Sequence, residues 1–239
     1  QIAEDHGILL GYKWTTKGKD KYFSKNNNEY ATGWNIINGK KYYFNNKGVL
    51  QTGLQTIEGN VYYLGKDGAV QTGWKNINGN KYYFEVKGDK RGQAVIGQVK
   101  LDKKDYYFGK DGAMVTSKRV KVGDNYYYFG EDGVKVTSEK VKVGDNYYYF
   151  GEDGAMVISK NISIGDDNYY FGEDGTMARF KMIKLGNQYC YFKASGKMVK
   201  HLSLKISFLT VGLISTIVFI IAKRNKYSEQ NKEDLATNI

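Results

Sequence analysis

The chain repeats one pattern of apolar and polar positions along most of its length. An alternating run, a glycine-bearing break and an aromatic-rich run follow one another, and the aromatic run closes on a bulky apolar residue. These closing residues are Phe23, Phe44, Leu64, Phe84, Phe108, Phe129, Phe150, Phe171 and Phe192. Successive markers stand 20 or 21 residues apart, except for 24 between Phe84 and Phe108. A glycine follows four residues after each of the last eight, from Gly48 to Gly196. Self-similarity at a fixed short period is the signature of a repeat architecture.

Each unit reads as two short strands and two turns. Trp34 to Ile37 is followed by Asn38-Gly39 and then by Lys41 to Asn45. An Asn-Gly pair between strand-like runs marks a type I′ hairpin turn, whose two central residues need positive φ. Asn78-Gly79 stands in the same place, and Gly123-Asp124 and Gly144-Asp145 are glycine-first variants. The second turn, Asn46-Lys47-Gly48 and its relatives Lys66-Asp67-Gly68 and Glu131-Asp132-Gly133, suits a type I turn closed by a left-handed glycine. A lone hairpin of this length is marginal in water. The pattern therefore predicts an all-β solenoid of stacked β-hairpin repeats of 20–21 residues, each burying its aromatics against the next. Side chains alternate across a strand, so Tyr42 and Phe44 share one face, expected to form the spine. Tyr43 takes the other, expected to look toward a groove or water. The longer gap between Phe84 and Phe108 predicts a loop around Gly88 to Gly92.

Composition agrees with this reading. The chain has 22 tyrosines and 29 glycines among 239 residues, and no proline. Tyrosine favours strands, and glycine supplies the turns.

The Thr-Gly-Trp…Asn-Gly…Tyr-Tyr-Phe…Gly phrase of residues 32–48, written again at 72–88, resembles the cell-wall-binding repeat family. That family includes choline-binding modules, glucan-binding repeats and the repetitive C-terminal regions of large clostridial toxins. The resemblance covers roughly residues 11–199, and residues 32–88 look most like the toxin-type repeats. It implies a β-solenoid that binds carbohydrate or choline-decorated wall polymers in shallow sites between repeats. Candidate carbohydrate-binding residues are Trp14, Trp34, Tyr43, Tyr63, Trp74 and Tyr83. For Trp34 and Trp74, a packed core position and a ligand-stacking platform fit the sequence equally.

The departures from the phrase point to function as well. Leu54 replaces the tryptophan in the unit between Trp34 and Trp74. From residue 113 onward the phrase becomes Thr116-Ser117-Lys118, Thr137-Ser138-Glu139 and Ile158-Ser159-Lys160. This reading places Lys118, Glu139 and Lys160 where the ring would stand. A cage for quaternary ammonium needs rings on several sides, which argues against choline capture, most of all after residue 113. Glycan binding is expected within residues 11–112.

A second hydrophobic pattern lies near the C-terminus. Ile206 to Ala222 carries no charge, and starting from Leu202 the run would span about 31 Å as a helix. Lys223, Arg224 and Lys226 follow it. The expected domains are a lead-in over 1–10, repeats over 11–200, a transmembrane helix over 201–223 and a polar tail over 224–239. A repeat domain of this class works outside the cell, so the expectation is a single-pass protein of the cell membrane. Its repeats would be extracellular and its tail after Lys223 cytoplasmic. A sortase signal needs a proline-containing motif, which this chain lacks.

Net charge is +11, which fits acidic partners such as anionic lipid or anionic wall polymers. Nucleic acid does not suit an extracellular domain. No chemistry-bearing constellation emerges. His6 and His201 are the only histidines, and the single cysteine, Cys190, aligns with the packing positions Tyr42 and Tyr169. The turn carboxylates have neither calcium-loop nor glycosidase spacing, and neither a phosphate-cradling loop nor zinc-ligand spacing appears. The sequence therefore implies a non-enzymatic binding protein for a cell-wall polymer or surface glycan, without cofactor or metal. Alternatives are the targeting part of a longer wall hydrolase or glycan-binding toxin, since the chain begins at Gln1 rather than methionine, and a stalk without ligand.

Overall fold

The computed structural model describes residues 12–25 and 29–199. Among them every regular element is a strand, and none is a helix. The expected membrane helix over 201–223, the lead-in and the tail lie outside the described residues. Among the described residues no helix is long and apolar enough to cross a membrane.

The first five hairpins pair β1 (Tyr12–Lys17) with β2 (Asp20–Lys25), β3 (Gly33–Ile37) with β4 (Lys40–Phe44), and β5 (Gly53–Ile57) with β6 (Asn60–Leu64). They continue with β7 (Gly73–Ile77) and β8 (Asn80–Phe84), then β9 (Gly97–Leu101) and β10 (Lys104–Phe108). Next come β11 (Lys118–Val122) with β12 (Asn125–Phe129), β13 (Glu139–Val143) with β14 (Asn146–Phe150), and β15 (Lys160–Ile164) with β16 (Asp167–Phe171). The last sheet joins β17 (Lys181–Leu185), β18 (Gln188–Phe192) and β19 (Met198–Val199). The chain divides into two compact units. One takes the residues up to Arg119 with Phe129–Lys135, the other Val120–Tyr128 with the residues from Val136 on.

Turn chemistry follows the sequence. Asn38 and Gly39 both take positive φ (49° and 74°), as do Asn78 and Gly79 (50° and 82°), which is the type I′ geometry. In the second unit only the glycine is left-handed, Gly144 at 59° with Asp145 normal, so the glycine-first turns are type II′. At the opposite end of each hairpin the Gly48 N–H donates to the Asn45 carbonyl at 2.9 Å, closing the predicted three-residue turn.

Every marker from Phe44 onward, Leu64 included, is completely buried, and Phe23 nearly so. The other face of the aromatic run departs in part from expectation. Tyr43, Tyr63 and Tyr83 are partly buried rather than open to water. In the first unit the Tyr63 ring lies 6.2 Å from Phe84 of the next hairpin, nearly parallel to it. In the second unit Tyr149 lies 6.1 Å from Phe171 and Tyr170 lies 6.2 Å from Phe192, both tilted rather than parallel. The two faces of one strand therefore serve two successive layers: the phenylalanine face receives the preceding hairpin, and the tyrosine face covers the next. Cys190 is buried in the last of these layers, at the packing position expected of it.

Loops tie the layers together by main-chain bonds. Val70 N–H donates to the Lys41 carbonyl at 2.9 Å, Met114 N–H to Lys81 at 2.7 Å and, in the second unit, Met177 N–H to Tyr147 at 2.8 Å. The extra residues after Phe84 form the expected loop, in which Glu85 N–H donates to Gln93 O and Phe84 resumes the ladder with Ala94.

Register corrects the alignment of the second half. Glu139 lies opposite Phe150, as Gly33 lies opposite Phe44, so the counterpart of Trp34 is Lys140, facing Tyr149, and not Glu139. In the next hairpin the counterpart is Asn161 rather than Lys160. The left-handed hinge moves one residue: Gly33 within the strand has φ 64°, whereas Ser138 just before the strand has φ 51°. Aligning Ser138 with Gly33 matches the hinges but shifts the strands by one.

Candidate functional site

Three tryptophans stand between successive hairpins of the first unit. Trp34 in β3 is directly opposite Tyr43 in β4, so the two side chains leave the hairpin on one face. Their rings meet edge to face at 4.9 Å, and Tyr62 from β6 approaches the same indole at 4.7 Å, again edge to face. Trp74 repeats the arrangement with its partner Tyr83 at 5.1 Å and with Tyr106 and Phe108 of the next hairpin at 5.3 and 5.9 Å. Trp14, opposite Phe23 in β2, meets Tyr42 at 5.3 Å and Phe44 at 5.9 Å. All three indoles are partly buried. Each is a packing ring between hairpins that keeps part of its surface exposed.

Each cleft also holds a cation. The ammonium of Lys21 lies 4.5 Å from the Trp14 ring, that of Lys41 4.2 Å from Trp34, and that of Lys81 4.6 Å from Trp74. Burial pushes the Lys41 pKa down, against the opposing pull of Glu58. Burial also pushes the Tyr42 hydroxyl up.

The structure thus gathers Trp34 with Tyr43, and Trp74 with Tyr83. Tyr63 is placed on Phe84 and does not join a tryptophan, because Leu54 faces it across the hairpin and is 39% exposed. Tyr42 is buried, as expected of the spine, and so is Tyr62; with Tyr106 they also meet the tryptophans of the preceding hairpins. These contacts depend on which hairpin stacks on which, and the two-residue strand period alone does not carry them.

The second unit has different equipment. Lys140 sits over Tyr169 at 5.0 Å, and Arg179 over Tyr147 at 5.4 Å. A cleft of about 930 Å³ is lined there by Tyr170, Asp174, Arg179, Phe180 and Lys184 among others. The Asp174 carboxyl is held below the usual carboxylate range by hydrogen bonds from the Thr176 hydroxyl and main chain. Among the described residues no group of three or more metal-ligating side chains converges.

A family model for the choline-binding repeat matches residues 31–71, 71–118, 95–139 and 119–160, and a cell wall binding repeat model matches residues 162–177. Among solved structures, the choline-binding domain of CbpL from Streptococcus pneumoniae is similar at 26% identity and a TM-score of 0.56. The match covers 71% of this chain and 87% of that one. The modular autolysin LytC from Streptococcus pneumoniae is similar at 22% identity and a TM-score of 0.53, over 80% of this chain and 47% of its own. This chain therefore spans about half of that autolysin. A second LytC structure, in complex with a synthetic peptidoglycan ligand, is similar to the same degree, with a TM-score of 0.54. No curated protein matches the chain.

Proposed function

The chain belongs to the choline-binding repeat family, and from that premise we propose that it is a non-catalytic binding protein for cell-wall polymers or surface glycans. The observation that carries this reading is the set of three tryptophan clefts, each built by two successive hairpins. A partly exposed indole flanked by other aromatic rings offers the apolar surface on which the face of a sugar ring stacks. Single sites of this kind are weak, and several along one chain act together through effective concentration.

The apolar segment Leu202–Ala222 with the basic residues after it supports anchoring in the membrane of a Gram-positive-type cell. Repeats outside and the tail after Lys223 inside are the orientation we propose. Protease added to intact cells should then remove the repeats and spare the tail, and protection of the repeats would reverse the topology. The central test is sedimentation of the detergent-solubilised full chain with purified wall sacculi. Retention that is lost on replacing Trp34 and Trp74 is expected, and equal retention without them would remove the clefts from the binding surface.

A second reading has one observation in its favour. The chain covers less than half of the modular autolysin it resembles, so it would also fit as the targeting portion of a longer wall hydrolase. Reading the encoding DNA upstream of Gln1 separates the two.

A further inference from the structure

Sugar stacking does not use the cation that each tryptophan cleft contains. Three lysines at corresponding places repeat the arrangement, and their main chains are fixed. The carbonyls of Lys21, Lys41 and Lys81 accept N–H bonds from Leu50, Val70 and Met114 at 2.8, 2.9 and 2.7 Å. From these anchors each ammonium reaches the indole of its own hairpin, within the roughly 6 Å over which a ring face attracts a cation. In the Trp34 cleft the same ammonium also lies 5.7 Å from the Tyr62 ring. The depressed pKa of Lys41 shows that its charge is already partly stripped of water.

A tryptophan face walled by further rings is the kind of surface that takes quaternary ammonium. Here the chain supplies its own cation to that surface, tethered by a side chain and so present at high effective concentration. An incoming quaternary ammonium must displace the lysine and then remain beside a like charge. An anion meets the reverse situation. Each ammonium has three donors, the rings satisfy none of them with a strong acceptor, and for Lys41 part of the desolvation has already been met by folding.

We propose that Lys21, Lys41 and Lys81 set the specificity of the three clefts, closing them to quaternary ammonium and directing them to a glycan that bears an anionic group. The sugar ring rests on the open flank of the indole, and the phosphate or carboxylate takes the lysine. This inference rests on the clefts being the wall-binding site.

The three tryptophans of the chain are all in these clefts, so fluorescence of the full chain excited at the red edge of the indole band, where its 22 tyrosines do not absorb, reports on them alone. Titration with choline chloride, glucose 1-phosphate, glucuronate and neutral glucose is compared between the unaltered chain and the triple variant Lys21→Met, Lys41→Met, Lys81→Met. Methionine keeps the stem and removes the charge. The variant should gain about tenfold or more in choline affinity and lose about tenfold or more for the anionic sugar. The relative strength of glucose 1-phosphate and glucuronate tells phosphate from carboxylate. Choline binding equally to both chains, or to neither, overturns the proposal, as does anionic-sugar binding that survives the substitutions. Should the triple variant fail to fold, Lys41→Gln alone is read through the change at Trp34, with Lys41→Arg expected to preserve the original preference. Wall sedimentation keeps the two readings apart. An unaltered chain that does not sediment fails the binding reading, whereas a chain that sediments without the predicted exchange of probes fails only this one.

Discussion

The main-chain carbonyl of Lys41 accepts the N–H of Val70 at 2.9 Å, joining β4 to the loop that follows β6. The bond leaves the hairpin ladders untouched and spends loop groups on the junction between layers. Each hairpin is thereby held at a defined offset on the next, and that offset decides which side chains meet. In the first unit it places Tyr62 against Trp34 and the loop glycine Gly68 against Leu50.

Gly68 has φ +82°, and a Cβ built there would stand 2.6 Å from a methyl of Leu50. Gly68→Ala therefore meets both backbone strain and overlap. We expect a loss of about 1–3 kcal/mol, read from the urea midpoint. Combining it with Leu50→Ala should cost less than the sum of the two single changes, because the second change clears the overlap. Strict additivity would place the whole cost in the backbone.

The fully buried phenylalanines should behave alike wherever they stand. Phe84→Ala in the first unit and Phe150→Ala in the second each empty a packed position, and a loss of about 3–5 kcal/mol is expected from each in denaturant unfolding. A loss below about 1 kcal/mol at either site would contradict the equivalence of the layers.

Asp67 and Asp174 are held below the ordinary carboxylate range, chiefly by the Ala69 N–H for the first and by Thr176 for the second. A depressed folded-state pKa gives stability that is full above the unfolded value of about 3.9. It is lost as pH falls through the folded value. Both groups face solvent, so the effect of each is small. The Tm of the unaltered chain should drop more between about pH 7 and about pH 2.5 than that of Asp67→Asn with Asp174→Asn. Parallel curves would mean that the turn bonds do not bias the carboxylates.

The ladder, the turns and the buried phenylalanines were legible because each depends on residues within one repeat. Asn38-Gly39 dictates its own turn, and Phe44 is fixed by period-two alternation. What lay beyond the sequence depends on neighbours in space. Nothing within 41–44 tells that Tyr43 will lie under the next hairpin rather than in water, or that Lys41 will reach Trp34. The one-residue shift at Ser138 escaped for a related reason. A serine in left-handed conformation looks in sequence like the glycine hinge, and only the pairing of Glu139 with Phe150 shows the strand starting later.

The tryptophans offer the sharpest division between packing and binding. Trp34 makes two edge-to-face ring contacts, to Tyr43 and Tyr62, and such pairs contribute about 0.5–1.5 kcal/mol each beyond area. Trp34→Ala should therefore cost about 1–3 kcal/mol, less than a phenylalanine in the spine, since the indole is only partly buried. Trp34→Phe should recover part of that stability. For a sugar, the wider indole face supplies the contact, because hydroxyl hydrogen bonds exchanged with water bring only about 0.5–1.5 kcal/mol each. Trp34→Phe with Trp74→Phe should hence restore the thermal transition more fully than it restores retention on wall sacculi. Lys140 provides the converse check in the second unit, at the position that register makes equivalent to Trp34. Lys140→Trp should add a ring over Tyr169 and bring retention to a repeat that otherwise contributes a cation, whereas Lys140→Leu, which removes the charge without adding a ring, should not. If retention instead follows stability across every substitution, the tryptophans act only as mortar between hairpins, and the binding surface must be assigned to other residues.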